Sequence, residues 1–552
     1  MPDIYRVAPL GRGGLTDTPG TVAAFLAEAV AVDAVGPVFA FPGGGSNLDV
    51  IEELGARGVE VVVARSEGGA AFMAATTADL AGRPAVLLVG LGPGVANAVN
   101  GVAHAWLDQS PLLVISDRFT SDELGTSGHQ VLDHKALLAP VTKWQQTLTA
   151  ANAAGSIERA FQEAMAEPRG PVHLELPRDV AGAPATNSPG ASVVRPSVGT
   201  GALPAAVVTA LRDARRPVLL VGDEAAGVSQ GVLIELAELL QAPVLSSYKA
   251  KGIFPERHPL WCGIVTNAAA EADVLEAADA IAAIGLDPVE LLPRRWAAVP
   301  PLLALRAHGE PAPGYRATCE LIGRVPMLVQ QLLAVLGTPC SEWTEGEVAA
   351  YRHAILSRLR IPAPGSLSAV EAVEAALEAA PGSTTVTVDA GAHMFAATWF
   401  WRSTLPRRFL ISNGLATMGY AVPAAVAAAL ARPGEPVLAF TGDGGFLLHG
   451  AELETAARLG AKIIVIALND SSLSLIRIKQ EDKRYRRAAV DFSRVGLADA
   501  GRALCAAGRT VDQADALRDA VCAALAADGS TVIEVLLAGS EYRALQQAIR
   551  GG

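Results

Sequence analysis

Two aspartates in the last quarter of the chain stand where two neighbouring strands are predicted to end. Asp443 follows the apolar run 436–441 and Asp470 follows the apolar run 462–468, with a helical pattern over 446–458 between them. Strand, helix and strand in this order predict a parallel βαβ unit, whose strands end at the same edge of a sheet. We therefore expect the two carboxylates to lie close together, where a hard cation such as magnesium or calcium would offset their repulsion.

Glycines flank the first of these aspartates. Gly442, Gly444 and Gly445 leave room for a phosphate group to approach the backbone, and a helix that begins here offers it free N–H groups. The pattern predicts a divalent cation that bridges protein carboxylates to a diphosphate. The alternative interpretation is a plain turn with an asparagine cap.

The stretch 436–480 resembles the cofactor motif of the thiamine-diphosphate enzymes, in which GDG precedes a helix, a strand and an asparagine pair or a variant of it. The resemblance implies that Asp443, Asp470 and the backbone carbonyl of Ser472 hold magnesium, which holds the diphosphate of thiamine diphosphate. Aspartate at the last position of the pair is similar to the flavin-independent, catabolic acetolactate synthases. Three further runs resemble the same branch: GDGGFL, ELETAARL and KRYRRAAVDF.

The composition argues against several classes of function. A net charge of −12 over 552 residues disfavours a nucleic-acid partner, and no uninterrupted apolar run reaches membrane-spanning length. The five cysteines form no CxxC motif, so they indicate neither a zinc site nor a disulfide framework. The first residues lack the apolar core of a signal peptide, and we expect a cytoplasmic protein without a membrane partner.

Alternating strand and helix patterns predict an α/β chain with three doubly wound, mainly parallel-sheet domains. We expect an N-terminal domain at 18–185, a central Rossmann-like domain at 203–336 and a C-terminal domain at 366–545. The resemblance implies that the first binds the pyrimidine and the last binds the diphosphate of the cofactor. Some relatives carry FAD in the central domain. Because this run has no GxGxxG motif and is similar to the flavin-free branch, we expect no FAD here.

Glu67 follows the strand pattern 59–64 and starts a helical pattern. A glutamate in the first turn of a helix is also favoured by the helix dipole, without any catalytic role. The run 66–97, SEGGAAFMAATTADLAGRPAVLLVGLGPGVAN, resembles a thiamine-diphosphate enzyme motif. There the glutamate hydrogen-bonds the pyrimidine ring and drives ionisation of the cofactor, and Asn97 matches an asparagine of the motif. Ser66 departs from the histidine usually found before the glutamate.

His129 and Gln130 lie in the run GHQVLDHKALLAPVTKW, which resembles the HQxxDxxxxxxPVTKY segment of catabolic acetolactate synthases. The resemblance implies that both side chains face the reacting end of the cofactor. The alternative for a loop histidine is a surface position without a catalytic role.

Two further strand ends are assigned roles by the same resemblance. Gly391 and His393 follow the strand pattern 384–388 and would contact the diphosphate. Met418, within SNGLATMG, would wedge the two rings of the cofactor into a bent shape, although a lone methionine is usually a core residue. The backbone carbonyl of Ala416 would accept a hydrogen bond from the amino group of the cofactor.

The resemblance covers nearly the whole chain and implies a decarboxylating carboligase that acts on a small 2-oxo acid such as pyruvate. A non-ligating 2-oxo-acid decarboxylase, or another C–C lyase of the superfamily, is the alternative. Ile476 stands where some decarboxylases carry an acid, which favours the carboligase. A non-catalytic paralogue is the third possibility. We expect a homodimer or homotetramer, because the family completes each active site with residues from two chains.

Overall fold

The computed structural model describes residues 20–126, 128–185, 203–296, 298, 300–309, 315 and 317–551. Its strands form three six-stranded sheets in which neighbouring strands run parallel. Helices connect the successive strands within the first and third sheets, as is usual for parallel pairing. The expected α/β class with three mainly parallel sheets is therefore confirmed. The domain limits 18–185, 203–336 and 366–545 stay predictions.

The first sheet consists of β1 Val38–Phe41, β2 Val61–Val63, β3 Ala85–Val89, β4 Leu112–Arg118, β5 Trp144–Thr147 and β6 Val172–Pro177. Its strand order is β2-β1-β3-β4-β6-β5. The helices of this part of the chain are α1 Val22–Asp33, α2 Ser46–Ala56, α3 Glu67–Ala81, α4 Pro93–Leu107, α5 Ser121–Thr126, α6 His134–Leu138, α7 Ala153–Met165 and α8 Arg178–Ala181.

The second sheet consists of β7 Pro217–Val221, β8 Val244–Ser246, β9 Trp261–Ile264, β10 Ala280–Ile284, β11 Leu302–Arg306 and β12 Cys319–Ile322. Its order, β12-β11-β10-β7-β8-β9, reverses between β10 and β7. In open sheets such a switch point leaves a crevice where ligands bind. The helices here are α9 Ala205–Asp213, α10 Gln230–Leu240, α11 Ala272–Glu276, α12 Val325–Leu336 and α13 Glu345–Leu359.

The third sheet consists of β13 Thr385–Val388, β14 Phe409–Ile411, β15 Val437–Gly442, β16 Ile464–Asn469, β17 Ala507–Val511 and β18 Thr531–Leu536. Its order is β14-β13-β15-β16-β18-β17. The last helices are α14 Ala369–Ala379, α15 Met394–Phe400, α16 Ala421–Ala431, α17 Asp443–His449, α18 Glu452–Arg458, α19 Ser474–Asp482, α20 Leu497–Ala503, α21 Ala514–Ala526 and α22 Tyr542–Arg550. Short 3-10 helices span Ala139–Val141, Asp223–Gly227 and Pro288–Glu290.

The chain forms two compact units. The first holds the described residues up to 185 together with Leu415–Glu435 and His449–Ile463, and the second holds the remaining described residues. The first unit therefore contains the first sheet with α16 and α18, and α3 packs against both α4 and α16. The second unit contains the second and third sheets. Strands β3, β7 and β10 are almost wholly aliphatic and buried along their length, as expected where helices cover both faces of a parallel sheet.

The predicted βαβ unit differs from the structure in its helix. The strands begin and end within two residues of the prediction, but the single helix expected over 446–458 is two helices, α17 and α18. Gly450 lies between them, and glycine costs about 1 kcal/mol in a helix interior relative to alanine. No helix among the described residues is long and apolar enough to cross a membrane.

Candidate functional site

The structure brings together the two aspartates that the sequence singled out. β15 and β16 pair in parallel up to Gly442 and Leu468, so the residues that follow leave the sheet at the same edge. Asp443 begins α17, and Asp470 follows β16 directly. Burial, and secondly the charge of Asp470, raise the pKa of Asp443 to about 6. The two carboxyl groups are therefore close enough for one to oppose ionisation of the other.

Hydrogen bonds fix the turn after β16. The Ser474 hydroxyl donates to the Asp470 carboxylate, and the amide of Leu473 donates to the carbonyl of Val490 at 2.7 Å. The carbonyl of Ser472, expected as a metal ligand, accepts the amide of Ser474 at 2.9 Å. A carbonyl oxygen has two lone pairs, so this bond leaves room for a second partner.

Four side chains near Asp470 were missed by the sequence analysis, namely those of Ser474, Arg477, Glu541 and Tyr542. Burial raises the pKa of Asp470, while the hydroxyl of Ser474 and the charge of Arg477 lower it. Burial, and in addition the charge of Asp470, raises the pKa of both Glu541 and Tyr542. The sheet topology could have located Glu541 and Tyr542, because both residues follow β18, and β18 lies beside β16.

The His393 ring lies over two of the expected glycines. A Cβ atom on Gly391 would come within 2.5 Å of the ring, and one on Gly442 within 3.4 Å. Burial lowers the pKa of His393 to about 4, although a hydrogen bond with the backbone of Asp389 acts in the opposite direction. Its Nε2 atom is buried and has no hydrogen-bond partner within the described residues. A neutral imidazole therefore presents an unsatisfied polar atom at this sheet edge.

Gly444 and Gly445 form the first turn of α17. The amide of Gly444 bonds to the Asp443 carboxylate and lowers its pKa in part. A side chain at Gly445 would collide with the Asp389 carboxylate, which accepts a hydrogen bond from the Thr441 hydroxyl at 2.7 Å. The glycine at 445 is therefore required by close packing.

Glu67 is the first residue of α3, in the other compact unit. Its N-cap, Ser66, accepts the amide of Gly69 at 3.0 Å. The side-chain amide of Asn97 in α4 donates to Glu67 Oε2 at 3.3 Å. Glu67 is only 9% exposed, so its remaining oxygen lies in a largely dry environment. The structure thus joins two residues from one predicted motif.

Glu452, in α18, supports the start of α3. Its carboxylate accepts the amide of Arg65 at 3.1 Å and the hydroxyls of Ser66 at 3.4 Å and Thr455 at 2.7 Å. Burial raises the pKa of Glu452, and these bonds oppose the rise. Residue spacing carries no signal for this contact, because Glu452 lies 387 positions from Arg65.

Ala416 and Met418 lie in the loop before α16. Ala416 has a φ of 51°, a left-handed conformation that residues with a Cβ atom adopt only under constraint. The side-chain amide of Asn100 donates to the hydroxyl of Thr417 at 3.1 Å. Met418 is half-buried. The loop is therefore anchored between the two residues that the resemblance singles out.

Gln130 lines a cavity of about 300 Å³ in the first compact unit. Its backbone has a φ of 56°, and a Cβ atom on Gly92 would lie 2.7 Å from the Gln130 carbonyl. The amide of Gly92 also donates to His134 Nε2 at 2.9 Å. His129 is exposed and does not line the cavity. The structure therefore separates the surroundings of the two residues that were predicted together.

The charged side chains of this cavity are not equivalent. Its carboxylates are already engaged: Asp133 caps α6 through the amide of Ala136 at 3.0 Å, and Glu175 lies 2.5 Å from Arg118 Nη1. Burial acts to raise the pKa of Glu175, but hydrogen bonds with His134 and Thr147, and secondly the charges of His173 and Arg118, lower it to about 2. The cations that line the cavity are the guanidinium of Arg118, which already pairs with Glu175, and the ammonium of Lys135.

Comparisons with known proteins match all three parts of the chain. Family models described as the N-terminal TPP binding domain, central domain and C-terminal TPP binding domain of thiamine pyrophosphate enzymes match 20–137, 205–301 and 389–535. The chain is 31% identical to an acetolactate synthase of Bacillus subtilis, with 90% of each chain covered. It is 30% identical to a probable 2-ketoarginine decarboxylase, AruI, of Pseudomonas aeruginosa, with 91% of each covered. It is 29% identical to a catabolic acetolactate synthase of Raoultella terrigena, covering 90% of this chain and 91% of that one.

Proposed function

Since this chain belongs to the thiamine-diphosphate-dependent enzymes related to acetolactate synthase, we propose that it is a decarboxylating carboligase acting on a 2-oxo acid such as pyruvate. The observation that carries the proposal is the pair Asp443 and Asp470 at the ends of adjacent strands, each with a raised pKa. Such a pair favours a divalent cation, which in this family serves the diphosphate of the cofactor.

The residues at this edge fit a magnesium–diphosphate group. Asp443, Asp470 and the carbonyl of Ser472 would hold magnesium, whose charge offsets the two carboxylates. His393, with its unsatisfied Nε2 atom, would contact the diphosphate. Gly391 and the glycine-rich turn 442–445 would present backbone amides to the same group. The buried Nε2 atom of His393, which has no hydrogen-bond partner among the described residues, supports the diphosphate site independently of the two aspartates.

The residues of the first unit fit the pyrimidine end. Thiamine diphosphate supplies, when bound, a carbanion that attacks the 2-oxo carbon. The Glu67 carboxyl would share a proton with a ring nitrogen, and the Asn97 amide would hold that carboxyl in place. The Ala416 carbonyl would accept a hydrogen bond from the ring, and Met418 would enforce the bent shape. The constrained backbone of Ala416 supports its assigned role.

The cavity beside Gln130 supports an anionic substrate. Arg118 and Lys135 bring donors and positive charge to it, while its own carboxylates are engaged. A 2-oxo acid carries one carboxylate and would be held there, with Gln130 available to the reacting carbonyl. This assignment makes substrate binding sensitive to the two cations. The role that the resemblance gives to His129, which does not line the cavity, stays a prediction.

We expect Lys135→Gln and Arg118→Gln each to raise the KM for pyruvate about tenfold with little change in kcat, because each removes a charge-assisted contact to the substrate. Steady-state kinetics measure this, with Arg169→Gln, an exposed arginine paired with Glu167, as the matched control. Lys135→Gln is the cleaner variant, since loss of Arg118 also removes the guanidinium that pairs with Glu175. An unchanged KM in both variants would show that the substrate does not bind in this cavity.

Carboligation and simple decarboxylation are the two candidate outcomes. Ile476 in α19 is 45% exposed and offers no proton, which supports ligation to a second 2-oxo acid. The relationship to a probable 2-ketoarginine decarboxylase favours decarboxylation of another 2-oxo acid as the second candidate.

Product stoichiometry separates these outcomes. With pyruvate, magnesium and thiamine diphosphate, a carboligase releases one carbon dioxide for every two pyruvates consumed and forms 2-acetolactate. A decarboxylase releases one carbon dioxide for each pyruvate and forms acetaldehyde. NMR of the products with calibrated carbon dioxide release decides between them. Turnover of 2-ketoarginine but not pyruvate would support the second candidate, and absence of turnover with any 2-oxo acid would leave the non-catalytic paralogue.

We also propose a homodimer or homotetramer in which each active site draws on two chains. A bent cofactor needs the Glu67 and Asp443 residue sets at once, and these belong to separate sheets. When inactive Glu67→Gln and Asp443→Ala chains are mixed and exchange subunits, each heterodimer gains one site with both substitutions and one with neither. About half the native activity per heterodimer should return. A fully active monomer, or exchange verified by mass without recovery, would contradict shared sites.

A central domain without flavin is part of the same proposal. Glu290 accepts the amide of Asp223 at 3.1 Å and that of Asp287 at 2.9 Å, so an internal carboxylate takes the amides that a phosphate would use. A side chain at Gly222 would collide with the backbone of Gly285, which shows how tightly the crevice is filled. Visible absorption of the protein after incubation with FAD and desalting tests this: a retained flavin band would contradict it.

A further inference from the structure

Three polar side chains meet at the switch point of the second sheet and have no part in the proposed reaction. Glu224 follows β7, Asp287 follows β10 and His308 follows β11. These strands are neighbours and parallel, so their carboxyl ends share one edge. The carboxylate of Glu290 already accepts the backbone amides that could bind an anion in this crevice. The neighbouring cluster of Glu224, Asp287 and His308 instead favours a cation.

The geometry of the cluster matches a small metal site. His308 Nε2 lies 3.2 Å from Glu224 Oε1 and 3.5 Å from Asp287 Oδ2, and the three atoms lie within 4.8 Å of one another. In a tetrahedral zinc site with bonds of 2.0–2.1 Å, ligand atoms are about 3.4 Å apart. The described positions therefore need only small shifts to surround an ion.

Backbone hydrogen bonds orient both carboxylates. Glu224 Oε2 accepts the amide of Ala307 at 2.6 Å, and Asp287 Oδ1 accepts the amide of Val289 at 2.8 Å. Each carboxylate thus aims its other oxygen at His308. Fixed outer partners of this kind are typical of metal ligands, because they hold the ligand atoms in position before the ion arrives.

Burial and charge favour a dication. Between 8% and 12% of each of the three side chains is exposed, and Glu224 Oε1 is buried with no hydrogen-bond partner among the residues described, only the ion pair with His308. The positive charge of the nearby Arg306 is balanced by Glu320, since Arg306 Nη1 lies 2.9 Å from Glu320 Oε1. Two carboxylates around one imidazole, whose neutral form is the one that binds metal, carry the charge that a divalent ion neutralises.

We propose that Glu224, Asp287 and His308 bind a divalent transition-metal ion, with zinc the best fit to one nitrogen and two oxygen ligands in tetrahedral array. The ion ties together the ends of three strands of the central domain and is separate from the magnesium of the reaction.

The test uses the full-length protein, stripped with a chelator and titrated with zinc. We expect a single tightly bound zinc ion per chain by elemental analysis after desalting, and a rise in the unfolding temperature on adding zinc. Glu224→Gln and His308→Gln should weaken zinc binding more than about tenfold, whereas Glu235→Gln, an exposed acid of the same domain, should not. Asp443→Ala should keep the ion.

Cobalt provides a readout that does not depend on the variants folding well. Cobalt bound to the stripped wild-type protein should show the intense visible absorption of a four-coordinate site, and zinc should abolish it. A wild-type protein that retains no zinc, or a Glu224→Gln protein that folds and binds zinc as tightly as wild type, would overturn the proposal and leave the cluster as an ion pair held by a proton.

Discussion

Replacing Asp443 by alanine is expected to weaken retention of thiamine diphosphate by at least about a hundredfold, because an unpaired diphosphate charge remains at a largely buried site. Asp470→Ala should act in the same way, since both carboxylates are assigned to one cation. Calorimetric titration in the presence of magnesium measures the affinity, and activity after gel filtration reports retention. The fold should survive, because the substitution removes a repulsion within the apoprotein.

Asp528→Ala is the matched control for this prediction, since Asp528 is an exposed aspartate in the same compact unit as Asp443. It should bind the cofactor as the wild type does. An Asp443→Ala protein with wild-type affinity for the cofactor would show that the glycine-rich turn is an ordinary turn and that the cation lies elsewhere.

Glu67→Gln is expected to bind the cofactor but to slow exchange of its reactive C2 proton by about a hundredfold or more. Glutamine keeps the size of the side chain and its contact with Asn97, but it cannot pass a proton to the ring. Proton exchange followed by NMR isolates this step from substrate binding, and overall turnover should fall with it.

Glu60→Gln serves as a control, because Glu60 is an exposed glutamate that precedes β2 in the same unit. Its exchange rate should equal that of the wild type. If Glu67→Gln also exchanges at the wild-type rate, Glu67 has no catalytic role and only stabilises the first turn of α3 through the helix dipole.

The strand ends of the third sheet were predictable because local patterns and one topological rule determine them. Apolar runs of strand length bounded by glycine and asparagine predict buried strands, and parallel pairing then places Asp443 and Asp470 at one edge. The break between α17 and α18 was missed because the helical pattern of apolar residues continues through Gly450. A new helix, α18, begins after the break, and the carboxylate of its first residue, Glu452, accepts the amide of Arg65 just before α3.

Contacts between distant segments could not be predicted from spacing. Glu452 meets Arg65, and Glu290 bonds the amide of Asp223, only because folding brings separate loops together. The cluster of Glu224 and His308 arises in the same way from the ends of strands that are distant in the chain. Each of these contacts depends on how distant segments fold against one another, which no single run of residues encodes.

One calorimetric measurement tests the central claim most directly. Chelator-treated wild-type protein is titrated with thiamine diphosphate in the absence and in the presence of magnesium. Because the diphosphate is assigned to a cation between Asp443 and Asp470, we predict no measurable binding without the ion and saturable binding with it. Equal affinity in both titrations, or no binding in either, would contradict the account.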